Sequence, residues 1–237
     1  MCLSAQSHFV LSICVFDRIL HARCKKEPKL TEFAQVDRAH YNFDKYVRRT
    51  RWNSFWYQLR EVSKCDPASV LEVGPGDGTF SRLLRNIGIP VTTLDIASDL
   101  EPDILGSLMR MPIDDSAFDL VCAFQVLEHI PFGDVERALE EIHRVTRRYA
   151  VISVPDISRN IAVSVRINRR LHFERVFSLP RVFLPKHRFD GEHYWELGKH
   201  GFSTATFIAK LERYFTIGNR FRPIENTYHH FFICERR

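Results

Sequence analysis

The stretch Ser69-Val70-Leu71-Glu72-Val73-Gly74-Pro75-Gly76-Asp77-Gly78-Thr79-Phe80 decides the fold. Val70 to Val73 is a short apolar run of the kind that forms a buried strand, with one acid, Glu72, set inside it. Glycines then alternate at 74, 76 and 78, and Phe80, Leu83, Leu84 and Ile87 follow at helical spacing. The glycines therefore sit in a strand-to-helix turn, where the backbone bends tightly and a ligand approaches with no β-carbon in its way. A carboxylate at Glu72 is costly in such a strand unless it is hydrogen-bonded or close to a charge.

Downstream the same alternation continues. Val91-Thr92-Thr93-Leu94 reads as a β-branched strand that ends in Asp95, 17 residues after Gly78. A carboxylate at that strand tip can accept two hydrogen bonds from a ribose diol. The competing reading, a capping or turn aspartate, fits the distance from the glycines less well. Residues 102–107 predict a short third strand, Leu120 to Phe124 a fourth and Tyr149 to Val154 a fifth, stopped by Pro155. Val135 to Thr146 is amphipathic and helical between the last two. Strands alternating with helices predict a mostly parallel sheet covered on both faces, with a ligand crevice at its carboxyl edge.

Upstream, Trp52, Phe55, Trp56, Leu59 and Val62 recur at helical spacing within 41–62. That pattern predicts a helix burying its aromatics on the sheet edge, or else a lid over the crevice. Residues 1–40 carry no clean period and read as an extension. Residues 156–200 break the alternation, with nine Lys or Arg against five Asp or Glu and six interleaved aromatics. A structureless loop of that length is improbable in a compact domain, so a partly helical cap over the crevice is expected. A solvated insertion and a surface that docks on anionic membrane are the alternatives. After it come a helix capped by Ser203 and two closing strands, 215–221 and 228–234. The core is then 41–155 with 201–237, and 156–200 is an insertion.

The composition excludes several classes. Of the 237 residues, 45% are hydrophobic and 27% charged, so a packed core is feasible. A net charge of +5 permits an anionic substrate without demanding nucleic acid. The six cysteines form no C-x-x-C pair and suggest neither zinc nor a disulfide framework. Cys122, in an apolar run, reads as core. A cytoplasmic setting follows, with peripheral contact at the inner membrane face as an added expectation. The apolar patch 9–16 is far shorter than the roughly 20 residues a membrane-spanning helix needs.

The acid-x-Gly-x-Gly-x-Gly pattern from Glu72 to Gly78 resembles motif I of the class I S-adenosylmethionine-dependent methyltransferases. The dinucleotide form G-x-G-x-x-G would place its third glycine where this chain has Thr79. Met111 to Asp119 resembles the approach of that family to its fourth strand. Gln125-Val126-Leu127-Glu128-His129-Ile130 is similar to the E-VLEH-I segment of its type 11 group, with Gln125 at the usual acidic position. The resemblance implies a Rossmann-like α/β fold, a mostly parallel seven-stranded sheet with an antiparallel C-terminal strand and helices on both faces. It implies S-adenosyl-L-methionine as cofactor, with S-adenosyl-L-homocysteine as product. The cofactor would be held by Glu72, Gly74, Pro75, Gly76 and Gly78, by Asp95 and Ile96, by Ser107 and Leu108, and by Gln125 and Val126. Ser107 stands near where many relatives place an aspartate that reaches the adenine amino group.

Transfer from a sulfonium needs the acceptor aligned, water excluded and, for a hydroxyl acceptor, a proton removed. No metal is required, and histidine spacing along the chain suggests none. His129 and His193 are the candidate catalytic bases, with Glu196, His229 and His230 behind them. The expected acceptor is a small molecule, a sugar or a lipid-linked group, with Arg169 and Arg170 as anchors if it is anionic. An NAD(P)-dependent oxidoreductase and a non-catalytic protein that keeps the fold are the alternatives.

Overall fold

In a computed structural model, residues 36, 38–41, 46–167, 172–180 and 183–237 are described. The expectations for most of 1–40 and for Arg169 and Arg170 lie outside them. The glycine stretch folds as its sequence dictates. Strand β1 (Val70–Val73) enters the turn and helix α2 (Thr79–Asn86) leaves it. The sheet continues through β2 (Val91–Asp95), β3 (Ile104–Leu105), β4 (Phe118–Phe124), β5 (Thr146–Pro155), β8 (Phe215–Phe221) and β9 (His229–Arg236). Its seven strands lie in the order β3-β2-β1-β4-β5-β9-β8. The first five run parallel, Val70 pairing with Val91 on one side and Leu120 on the other. Strand β9 runs antiparallel to both β5 and β8.

Alternation along the central strands sends side chains to two cores. Leu71, Val73, Val121 and Ala123 face helices α3 (Val135–Val145) and α4 (Thr204–Leu211). Val70, Leu120, Cys122 and Phe124 face α2 and helix α1 (Arg49–Lys64). Helices thus cover both faces. Ser203 caps α4 as expected, its hydroxyl accepting the Thr206 amide at 3.0 Å.

Two expectations need correction. Helix α1 buries Phe55 and Val62, but Trp52 and Trp56 are 53% and 55% exposed. Its inward face carries Ser54, Gln58 and Glu61 instead, and each of the outer two finds a polar partner. Ser54 accepts from Asn226 at 2.9 Å, and Glu61 pairs with Arg60 and Lys64. The second correction concerns 156–200. Its described residues contain no helix but an antiparallel hairpin, β6 (Asn160–Arg166) and β7 (His172–Ser178), followed by an irregular segment. That segment returns to the core, where Trp195 and Leu197 are fully buried.

Candidate active site

At the carboxyl edge of the sheet the three glycines all take left-handed backbone, with φ of 67° at Gly74, 57° at Gly76 and 69° at Gly78. Only glycine adopts that conformation without strain. The Gly74 amide donates to the Leu94 carbonyl at 2.8 Å, which ties the turn to β2. Asp77 accepts from the Thr79 amide and hydroxyl at the entry to α2. On the next strand tip, Asp95 accepts the Ala97 amide at 2.8 Å through one oxygen. Burial holds its carboxyl above the ordinary carboxylate value.

Glu72 is buried within β1, and its Oε2 has no hydrogen-bond partner among the described residues. Desolvation pushes its carboxyl up to about 8. Across the crevice, Gln125 is also left-handed, at φ 57°, and its side chain donates to the Ser153 hydroxyl at 3.1 Å. Val126 packs directly against Gly74. Ser107 accepts the Met109 amide, and Leu108 is buried in the core with α3. Glu72, Gly74, Pro75, Gly76, Gly78, Asp95 and Val126 therefore share one edge of the sheet.

The groups that cover this edge lie in 41–62, the stretch whose second reading is a lid over the crevice, although its periodicity singles out neither Tyr41 nor Tyr46. A β-carbon on Gly76 would stand 3.2 Å from the Tyr46 hydroxyl, so Tyr46 overlies the loop. Arg51 lies 4.0 Å from the centre of the Tyr46 ring and donates to its hydroxyl at 3.1 Å. Burial pushes the Tyr46 phenol up to about 12. Tyr46 and Arg51 also line a cleft of about 590 Å³, together with Glu192, His193 and Tyr228. The signal available in the sequence was the cluster of tyrosines and arginines from Tyr41 to Arg51, running into the start of α1, which lacks the spacing of any motif.

His129 and His193, 64 residues apart, come together with ring centres 5.2 Å apart. Burial lowers the proton affinity of His129. Burial opposes the charge on His193 as well, but the Glu196 hydrogen bond and the Glu128 charge outweigh it and raise its proton affinity. Glu196 is held at about 2, against its burial, by His193, Lys199 and Tyr228. Of the other two candidate bases, His229 lines the same cleft with its Nδ1 unpartnered among the described residues, and desolvation holds it near 3. His230 bonds to Asp156 at 2.8 Å.

The sheet order and the glycine turn give a Rossmann-like α/β fold that the chain shares with solved methyltransferases. Residues 71–154 match the family model described as a methyltransferase domain. A malonyl-[acyl-carrier protein] O-methyltransferase of Pseudescherichia vulneris is 25% identical over 157 residues, 60% of this chain and 61% of that protein. One of the same description from Serratia marcescens is 33% identical over 93 residues, 35% of this chain and 36% of that protein. The chain thus spans less than two thirds of the length of these relatives. Burkholderia thailandensis 1,6-didemethyltoxoflavin-N1-methyltransferase, solved with bound 1,6-didemethyltoxoflavin and S-adenosylhomocysteine, superposes with a TM-score of 0.56 at 15% identity over 84% of each chain. Among the described residues no helix is long and apolar enough to cross a membrane.

Proposed function

We propose that this protein moves a methyl group from S-adenosyl-L-methionine to a small-molecule acceptor seated in the cleft between Arg51 and His193. The carrying observation is the cradle of three left-handed glycines at the tip of β1, beside the carboxylate of Asp95 at the tip of β2. The residues fit the cofactor. A cradle without β-carbons admits its methionine end, Asp95 has an oxygen for its ribose, and the orphaned Glu72 Oε2 offers an acceptor beneath the loop. Ile96, Ser107 and Leu108 flank the adenine in this reading, and Gln125 and Val126 line the sulfonium side.

The bound cofactor supplies a methyl already activated by positive sulfur. The protein's part is to align the acceptor and exclude water. Tyr46 does the second by covering the loop. Arg51, on the cleft wall, suits an acceptor carrying a carboxylate, a phosphate or sugar hydroxyls. His129 and His193 are the acceptor-side imidazoles.

Calorimetry with S-adenosylmethionine and with NADH tests the cofactor. Binding of the first alone is expected, and NADH binding in its place overturns the reading. A screen for S-adenosylhomocysteine release then identifies the acceptor, starting from phosphorylated or nucleotide-linked sugars, lipid-linked glycans and acyl carboxylates. Cofactor binding with no turnover on any of these classes would favour a non-catalytic binding protein.

A further inference from the structure

Residues 159–189 hold eight Lys or Arg against one Glu, a net +7 in a chain whose total is +5, so the rest of the protein is net −2. The same segment carries the two most exposed large apolar side chains among the described residues, Phe183 at 86% and Ile167 at 74%. Charge of one sign and bare apolar surface are thus concentrated in one stretch. Exposed apolar surface of that kind marks a place where something binds.

The ribbon of β6 and β7 shows how the two are arranged. It is a two-stranded sheet of its own, apart from the seven-stranded one. Directly paired residues point to the same side. Ile161 opposite Phe177, Val163 opposite Arg175 and Val165 opposite Phe173 therefore make one face, and Ala162 opposite Val176 and Ser164 opposite Glu174 belong to the other. On the first face Ile161, Val165, Phe173 and Phe177 are each between 47% and 50% exposed. Its one charge is Arg175, whose guanidinium stands 5.5 Å from the centre of the Phe173 ring. The single acid of the segment, Glu174, is on the reverse, paired with His172 at 2.8 Å. We propose that the apolar face of this ribbon docks on an anionic lipid bilayer.

A bilayer surface answers each part of the arrangement. The phenylalanines and aliphatic side chains enter the boundary of the acyl chains, while arginine lays its stem on apolar surface and keeps its head at the phosphates. The wider +7 field draws the segment to acidic headgroups. A two-stranded ribbon is marginal in water on its own, and covering one face supplies the packing it lacks. Other occupants fit less well. A second copy would bring +7 against +7. Nucleic acid would meet the charge, but Ile161 and Val165 offer bases nothing to stack on. The surface uses no residue of the glycine loop or the cleft, so it stands apart from the methyl-transfer reading.

The test is co-sedimentation of the full chain with vesicles of phosphatidylcholine and phosphatidylglycerol in roughly equal parts, and with vesicles of phosphatidylcholine alone. Pelleting with the mixed vesicles is expected, weakening as salt is raised, with little on the neutral ones. Phe173→Ser combined with Phe177→Ser should lower partitioning about 10-fold or more, and Arg175→Glu about 10-fold. All three side chains are exposed, and circular dichroism checks that the variants are folded. Ile87→Ser, an exposed apolar position outside the segment, should bind as the parent does. Absence of binding to the mixed vesicles overturns the proposal. So does equal binding to both kinds, or unchanged partitioning in the folded phenylalanine variant. Sedimentation velocity without lipid examines the rival occupant: a dimer that the phenylalanine variant abolishes would give the face to a second copy and overturn the proposal as well.

Discussion

Tyr41 stands against Gly76: a β-carbon built on the glycine would come within 2.9 Å of Cε1 of the tyrosine ring. The aromatic residues before α1 and the glycine loop are therefore fitted to each other at the width of a single hydrogen. Tyr41 also meets Tyr46 edge-on, with ring centres 4.7 Å apart, so the two rings cover the loop as a unit.

Gly76→Val should weaken S-adenosylmethionine binding by about 10-fold or more, because the branched side chain both forces a left-handed backbone strain and displaces the tyrosine pair. Gly133→Ala, in open space, is the control and should bind normally. Calorimetry decides it. Equal affinity in the valine variant and the parent would remove the loop from the cofactor site.

Asp95→Ala should cost cofactor binding about 1.5–3 kcal/mol, the usual worth of hydrogen bonds to a charged group. The variant also loses the cap on the Ala97 amide. Thermal unfolding without ligand measures that structural share. A drop in melting temperature with undiminished affinity would make Asp95 a turn residue only.

Glu72 couples stability to pH in an unusual direction. Its carboxyl is near 8 in the fold against 4.5 ordinarily, so between those values the folded chain holds a proton that the unfolded chain has released. Stability should therefore fall as pH rises from about 4.5 to 8 and level off above. Glu72→Gln removes that slope. Urea titrations at pH 5 and pH 8.5 should show the variant gaining on the parent at the higher pH, and parallel curves would refute the assignment.

Asp156 works with the opposite sign. Its carboxylate bonds His230 at 2.8 Å and the Ser158 amide at 2.8 Å, beside the buried Arg222. Burial opposes its charge, but these partners overcome that and hold it below the ordinary value. The stability it contributes is complete above the unfolded-state value near 4 and is lost as pH falls through the lower folded value. Asp156→Ala should cost about 1.5–3 kcal/mol at pH 7, since it removes the charged acceptor of His230 and of the Ser158 amide. The difference between parent and variant in urea should narrow on acidification below about pH 4.

The parts of the fold legible in the sequence were those with a local physical cause. The glycine turn was readable because left-handed backbone restricts residue choice, and β1, β2 and β4 because strands buried on both faces read as apolar runs. The exposed tryptophans of α1 were not readable, because the helix instead buries polar Ser54, partnered by the distant Asn226, and Glu61, partnered by Arg60 and Lys64 of the same helix. The hairpin left a signal that its charges obscured: Ile161, Val163 and Val165 alternate, as do Phe173, Arg175 and Phe177. The meeting of His193 with Glu128 and His129 left none. It depends on the irregular segment before Trp195 folding back onto the turn after β4, where the Tyr194 amide bonds the Glu128 carbonyl at 2.8 Å.

The place of β9 fixes an order of assembly. It lies between β5 and β8, yet follows both in the chain. Seventy-three residues separate the end of β5, at Pro155, from the start of β9, at His229. At roughly 5–20 residues per second, the ribosome takes several seconds to deliver the strand that β5 awaits. Throughout that interval the backbone edge from Tyr149 to Pro155 has no partner from this chain, and β8 has nothing to dock on. A nascent chain arrested at residue 222 should therefore bind a chaperone that the completed sheet ignores, and co-purification of arrested chains is the measurement. The strand that pairs with β5 last thereby sets how long that open edge must be shielded during translation.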